Sequence, residues 1–293
     1  MLLRRLAALG AALLSLTASA ERLPVVASFS LLADLTQAVG GEHIELKTLV
    51  GPDGDAHVYQ PTPRDVQAVA KARVLVVNGL GFEGWIGRLR QASRFKGIEV
   101  VASQGLTPLA GDHHGHPHAD PHAWQNPANV HRYVDNIATG LAQADPANAT
   151  YYRQRAGDYR RRLSEFERWA DAEMASIPLA KRQVITSHDA FAYLGQRFAI
   201  RFQAPQGRGT DSEASVQDVV KLIRQIRQSR IQAVFVENIS NPRLLEQIGR
   251  ETGVAPGGRL YSDALSTANG PAPDYLAMMR HNISQLVAGM RRN

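Results

Sequence analysis

Four short segments of the sequence carry side chains able to ligate a metal ion: Gly54-Asp55-Ala56-His57, Asp120-Pro121-His122-Ala123-Trp124, Thr186-Ser187-His188-Asp189 and Tyr261-Ser262-Asp263-Ala264. The imidazoles of His57, His122 and His188 with the Asp263 carboxylate would complete a tetrahedral set for zinc without any thiolate. Each residue alone has a plainer explanation. His57 could sit in a turn, His122 beside a helix cap, His188 in a hydrogen-bonded core position, and Asp263 at a helix N-cap. No local signature of the H-x-x-x-H or C-x-x-C kind is present, so the pattern by itself leaves a metal site as one reading among others. Thiolate chemistry is excluded. With no cysteine in 293 residues there is no disulfide, thiolate zinc site, Fe–S cluster, cysteine nucleophile or cysteine-linked lipid.

The four segments need a scaffold that gathers them, and hydrophobic patterning predicts an α/β one in each half of the chain. Leu23–Ala27, Ile44–Val50, Val74–Val77 and Ile98–Val101 read as strands, with helices over Ser30–Val39 and Pro63–Ala72. In the second half Val184–Thr186, Ile200–Phe202 and Ala233–Val236 read as strands. Helices are expected over 215–228, 241–252 and from Pro273 onward. Between the halves, Asp145 to Ile177 has almost no breaker and predicts one helix of about 30 residues, on the order of 45 Å long, either a strut between domains or a core helix of one of them. In α/β domains ligands collect beyond the carboxyl ends of the strands, and each of the four segments is expected just after a strand or in a loop.

At 293 residues, 44% hydrophobic and 20% charged, the chain is large enough for two domains with a hydrophobic core each. Met1–Ala20 has the three regions of a secretory signal peptide: Arg4 and Arg5, an apolar run from Leu6 to Leu16, and Ala18-Ser19-Ala20. Cleavage after Ala20 is expected. That run is shorter than the ~20 residues of a membrane span, so an exported, soluble protein without a lipid anchor is expected, free in a periplasm. Removing the two arginines lowers the net charge from +6 to about +4, too diffuse to indicate nucleic acid.

The order of the four motifs, together with Val-Phe-Val-Glu at Glu237, Asp211-Ser212-Glu213-Ala214-Ser215 before a helix and the long central helix, resembles the metal-binding receptors of bacterial ABC importers, the ZnuA/TroA-like family. The resemblance covers essentially the whole chain after Ala20. It implies two similar α/β lobes, each a mostly parallel sheet with flanking helices, joined by one long rigid helix, with the metal in the cleft between them. The implied organisation is a first lobe over 21–144, a linking helix over 145–178 and a second lobe over 179–293. It also implies His57 and His122 as ligands from the first lobe and His188 and Asp263 from the second. Members resembling manganese receptors place Glu at the third position, and His188 there favours zinc. The implied partners are a membrane ABC permease with its ATPase and, for loading, a periplasmic zinc chaperone, with the receptor itself a monomer.

Residues 111–120 hold His113, His114, His116 and His118, four of the ten histidines, among Gly, Pro and acidic residues. A mobile, exposed loop is expected, resembling a short form of the histidine-rich loop of zinc-specific members and offering extra weak zinc sites. Glu237 is expected near the cleft as an alternative ligand or as a carboxylate that orients one, with Asp55, Trp124 and Ser187 also positioning ligands. His43, His131 and His281 are expected to serve packing or the surface. Two other functions use the same residues: a zinc hydrolase with Asp263 or Glu237 as general base, for which no H-E-x-x-H motif is present, and a zinc buffer or adhesin without a transporter.

Overall fold

The computed structural model describes residues 21–113, 116–211 and 213–293. Met1–Ala20, where the targeting segment is expected, and His114 lie outside the described residues. The first lobe runs β1 (Leu23–Phe29), α1 (Ser30–Gly40), β2 (Ile44–Val50), α2 (Pro63–Lys71), β3 (Val74–Val77), α3 (Ile86–Ser93) and β4 (Ile98–Val101). Its strands form one parallel sheet in the order β2-β1-β3-β4. Val74, Leu75, Val76 and Val77 are buried throughout, as a strand covered by helices on both faces requires. A hairpin of β5 (Ala110–His113) and β6 (His116–Ala119) follows, then α4 (Pro127–Ala144) and α5 (Ala149–Ala175).

The second lobe repeats the pattern with shorter strands: β7 (Gln183–Ile185), α6 (Ala192–Phe198), β8 (Arg201–Gln203), α7 (Val216–Ser229), β9 (Val236–Glu237), α8 (Arg243–Thr252), β10 (Arg259–Leu260) and α9 (Tyr275–Arg291). β7 pairs parallel with β8, and β9 with β10. The two pairs meet through a parallel bridge between Ile185 and Val234, where Phe235 N–H donates to the Ile185 carbonyl at 2.9 Å. The resulting order, β8-β7-β9-β10, has the same crossovers as the first lobe.

α5 is the connection. Its 27 residues span about 40 Å at the usual rise. One stripe, Tyr152, Ala156, Tyr159, Leu163, Phe166, Ala170 and Met174, is buried against α1 and α4 of the first lobe and α9 of the second. The helix begins later than Asp145 because the Asp145 carboxylate accepts from Asn148 Nδ2 and Tyr152 OH at 2.7 Å, holding Pro146–Asn148 in a 3-10 turn. At the far end Arg280 of α9 lies over the Trp169 and Phe166 rings, 4.8 and 5.6 Å from their centroids.

The expectation of one core per lobe is corrected. The main core is continuous from β1 and α1 through α4 and α5 into β7, α6 and α9, and a smaller one lies under α7 and α8 around Leu222, Ile226, Val234 and Ile248. The apolar stripe of α5 serves both lobes at once, so their interiors merge. Residues 110–113 and 116–119 are also not irregular. They pair as an antiparallel hairpin, with His113 opposite His116 and Gly111 opposite His118. Among the described residues no helix is long and apolar enough to cross a membrane.

Because Phe166 is fully buried in the stripe that both lobes share, Phe166→Ala should destabilise the whole protein by about 3–5 kcal/mol. Urea unfolding should show a single transition shifted to lower denaturant rather than the loss of one lobe.

Candidate metal centre

Each of the four segments ends its element at the cleft with its backbone already fixed. His57 follows β2 in a turn where Asp55 Oδ1 accepts the His57 N–H at 2.9 Å and Trp85 Nε1 donates to the Ala56 carbonyl at 2.8 Å. His122 follows β6 in the same way. Asp120 Oδ1 accepts the His122 N–H at 2.9 Å, and Asn78 Nδ2 donates to the Pro121 carbonyl at 2.9 Å. His188 follows β7, and its N–H donates to Glu237 Oε1 at 2.8 Å. Asp263 follows β10, beside the Ser262 carbonyl, which accepts from Trp124 Nε1 at 2.9 Å and Gln125 Nε2 at 2.7 Å across the lobe boundary.

These turns bring together the four residues singled out from sequence. One ligand atom from each of His57, His122, His188 and Asp263 lies within 4.8 Å of all the others. Asp263 Oδ2 is 3.1 Å from both His57 Nε2 and His188 Nε2, Asp263 Oδ1 is 3.7 Å from His122 Nε2, and the His57 and His122 Nε2 atoms are 3.3 Å apart. A tetrahedral ion with bonds of about 2.0–2.1 Å keeps its donors about 3.3 Å apart, so the spacing suits one. His122, His188 and Asp263 are completely buried, and Asp263 Oδ1 has no hydrogen-bond partner among the described residues. A buried carboxylate oxygen left this way is costly unless a cation completes it.

The outward nitrogens are held by carboxylates. His122 Nδ1 is 2.9 Å from Asp120 Oδ1, and His188 Nδ1 is 2.6 Å from Glu237 Oε2. Glu237 therefore backs His188 and stands outside the four-donor group, and the Ser187 hydroxyl accepts the Glu237 N–H at 3.2 Å. Trp124 acts on the Asp263 side of the site, through Ser262. The role of Asp120 is not among the expectations from sequence, yet the sequence carries its signal: Asp55-Ala-His57 and Asp120-Pro-His122 share an Asp-x-His spacing that lets the carboxylate cap the histidine backbone. His43, His131 and His281 lie elsewhere. His43 packs edge-on against Tyr151, His131 faces Glu167 at 3.1 Å, and His281 meets the Arg259 carbonyl at 2.9 Å.

Electrostatics make the metal-free site a compact cluster of opposite charges. Burial alone would push the His122 imidazole down, but the Asp263 charge and the Asp120 hydrogen bond outweigh it and hold it up at about 9. His188 is likewise raised well above its usual value, burial being outweighed by Glu237 and Asp263. Burial would raise Asp263, yet His122 and His188 hold it well below the usual carboxylate range.

The sequence profile described as "ZnuA: Zinc-uptake complex component A periplasmic" matches residues 25–289. The chain belongs to this family. The manganese-binding lipoprotein MntA of Halalkalibacterium halodurans is 31% identical, over 92% of this chain and 89% of that protein. The iron-binding protein YfeA of Yersinia pestis is 30% identical, over 92% of this chain and 87% of that one. Among solved structures, the periplasmic zinc binding protein TroA of Treponema pallidum superposes with a TM-score of 0.87 at 27% identity, covering 92% of this chain and 99% of that one. Family, fold and site together place the chain with the metal-binding substrate-binding proteins of ABC transporters.

Two outcomes are expected. Replacing Glu237 by Gln should weaken metal binding by roughly 10–100-fold in a chelator competition, because the carboxylate that orients His188 is lost. Proton competition should extend well above the pH 6 expected for free imidazoles. The metal-free His122 holds its proton up to about 9, so affinity should keep rising with pH between 6.5 and 9. Calorimetry in buffers of different ionisation enthalpy should register proton release on metal uptake. The same shifts set the stability of the metal-free protein. The His122 contribution is full below pH 6.5 and lost through about 9, while that of Asp263 is present above 3.8 and lost as pH falls through its depressed value.

Proposed function

We propose that the chain is a periplasmic receptor that captures Zn²⁺ between its lobes and hands it to an ABC permease powered by its ATPase. The observation that carries the reading is the convergence of three imidazole Nε2 atoms on one buried carboxylate, with no thiolate and no further carboxylate among the inward donors. Neutral imidazoles suit zinc, whereas manganese prefers harder oxygen ligands. The relatives named for manganese and iron supply the competing reading, in which the same four residues hold one of those ions. Four donors fill a tetrahedral shell and leave no open position for a reacting water, which favours carriage over hydrolysis.

His57, His122, His188 and Asp263 are the proposed ligands, with Asp120 and Glu237 orienting the second and third imidazoles. The histidine-bearing hairpin around residues 113–118 is proposed as an auxiliary place where zinc is first caught or a zinc chaperone docks. The receptor is proposed to work as a monomer, with no tether through cysteine, since the sequence contains none.

Metal analysis and competitive titration of the purified protein test this. The wild type should bind one tight zinc and prefer it to manganese, and His188→Ala should lose more than about 100-fold in zinc affinity, beyond the loss expected for an orienting carboxylate. Deleting residues 112–118 should leave that tight site in place. Preference for manganese or iron would overturn the zinc assignment, and undiminished affinity in His188→Ala would overturn the ligand set.

A further inference from the structure

Among the segments that touch both halves of the site, one reaches the carboxylates behind His57 and His122 from the second lobe. Residues 204–211 follow β8 beside His188, where Gln206 bridges to His188 and the Gly207 carbonyl accepts the Asp189 N–H at 3.1 Å. The segment then crosses to the first lobe and makes two contacts there. Thr210 Oγ1 donates to Asp55 Oδ2 at 2.5 Å. The Arg208 guanidinium stands 3.7 Å from Asp120 Oδ2 and also donates to Asp189 Oδ2 at 3.4 Å. Asp55 and Asp120 are the two carboxylates that cap the backbones of His57 and His122 with their other oxygens. The segment therefore meets the second oxygen of each carboxylate, while the first oxygens keep the two histidine turns in place.

The space around the segment lets it move. Of the four donors only His57 reaches solvent, with 9% of its side chain exposed against none for the other three. The cleft outside His57 has a volume of about 580 Å³ and is walled by His57 and Phe82 on one side and by Arg208, Gly209 and Asp211 on the other. Pro205, Gln206 and Thr210 line a separate cavity of about 430 Å³. A partition with open volume at both faces can swing without disturbing a packed core. Glycines at 207 and 209 flank Arg208 and lower the cost of the backbone change. The contacts it makes with the first lobe through Thr210 and Arg208 are polar, and polar contacts of partly exposed side chains are the kind a moving element breaks.

We propose that residues 204–211 form the gate between the metal centre and the cleft, and that Arg208 and Thr210 latch it to Asp120 and Asp55. The proposal rests on the receptor reading given above. Both residues are positioning residues, since neither belongs to the four-donor group. A loosened gate speeds passage in both directions, whereas damage to the ligands speeds release alone.

Stopped-flow measurements separate the two cases: zinc uptake against a fluorescent indicator, and zinc release into excess chelator. The purified protein is compared with Thr210→Val, Arg208→Gln, the double variant, and the conservative Thr210→Ser and Arg208→Lys. The double variant should release zinc about tenfold faster and take it up faster by a similar factor, leaving Kd within about threefold. Thr210→Val carries the argument on its own, because it changes no charge near the cation. Ser and Lys should restore most of the wild-type rates. Unchanged rates in Thr210→Val and the double variant, or faster release with a matching loss of affinity, would overturn the gate. If the wild type binds zinc tightly and the variants behave like it, only the gate falls; if the wild type takes up no zinc, the receptor reading falls and the gate with it.

Discussion

Three imidazole nitrogens facing one buried point need a polar partner among them, and Asp263 supplies one that is charged. Its Oδ2 atom lies 3.1 Å from two of the rings and its Oδ1 atom is left for a cation to complete. Without a metal, protons take the cation's place: His122 and His188 are raised and Asp263 is lowered, so the site persists as an internal ion cluster. Metal uptake at such a site is coupled to proton release.

Preorganisation of this kind needs the lobes held in register, and the structure does so in two ways. The apolar stripe of α5 merges the two interiors into one main core. Nearer the cleft, polar contacts cross the boundary: Trp124 and Gln125 grip the Ser262 carbonyl, Tyr275 OH donates to the Trp124 carbonyl at 2.7 Å, and Leu265 N–H donates to Ser30 Oγ at 2.9 Å. The first anchor resists global motion of one lobe against the other.

Much of the architecture was legible in residue order. The buried run Val74–Val77, the strand Ile44–Val50, the breaker-free stretch that became α5 and the apolar spacing of α9 were all readable because local pattern and tertiary role agree there. The misses have physical reasons. α4 was passed over although Asn126-Pro127 carries an N-cap and a first-turn proline, and Asn126 does accept the Ala128 N–H at 3.1 Å. α3 and α6 are helices of eight and seven residues with no side-chain cap, so little in the local sequence marks them. The histidine-bearing stretch looked like a loop because Gly and Pro disfavour strands, and only pairing across the hairpin overrides that.

The sequence by itself determined the kind of chemistry available: no cysteine, and four segments offering three imidazoles and one carboxylate, each after a strand or in a loop. It also held the Asp-x-His spacing that caps two of those histidines, because a cap is a local hydrogen bond. Only the tertiary structure decided that the four donors share one point, that Glu237 backs His188 rather than joining the ligand atoms, and that Arg208 and Thr210 reach Asp120 and Asp55. The contact between Thr210 and Asp55 joins residues 155 positions apart. Contacts at such separations depend on how two sheets pack about a shared helix, and local pattern holds no record of that packing.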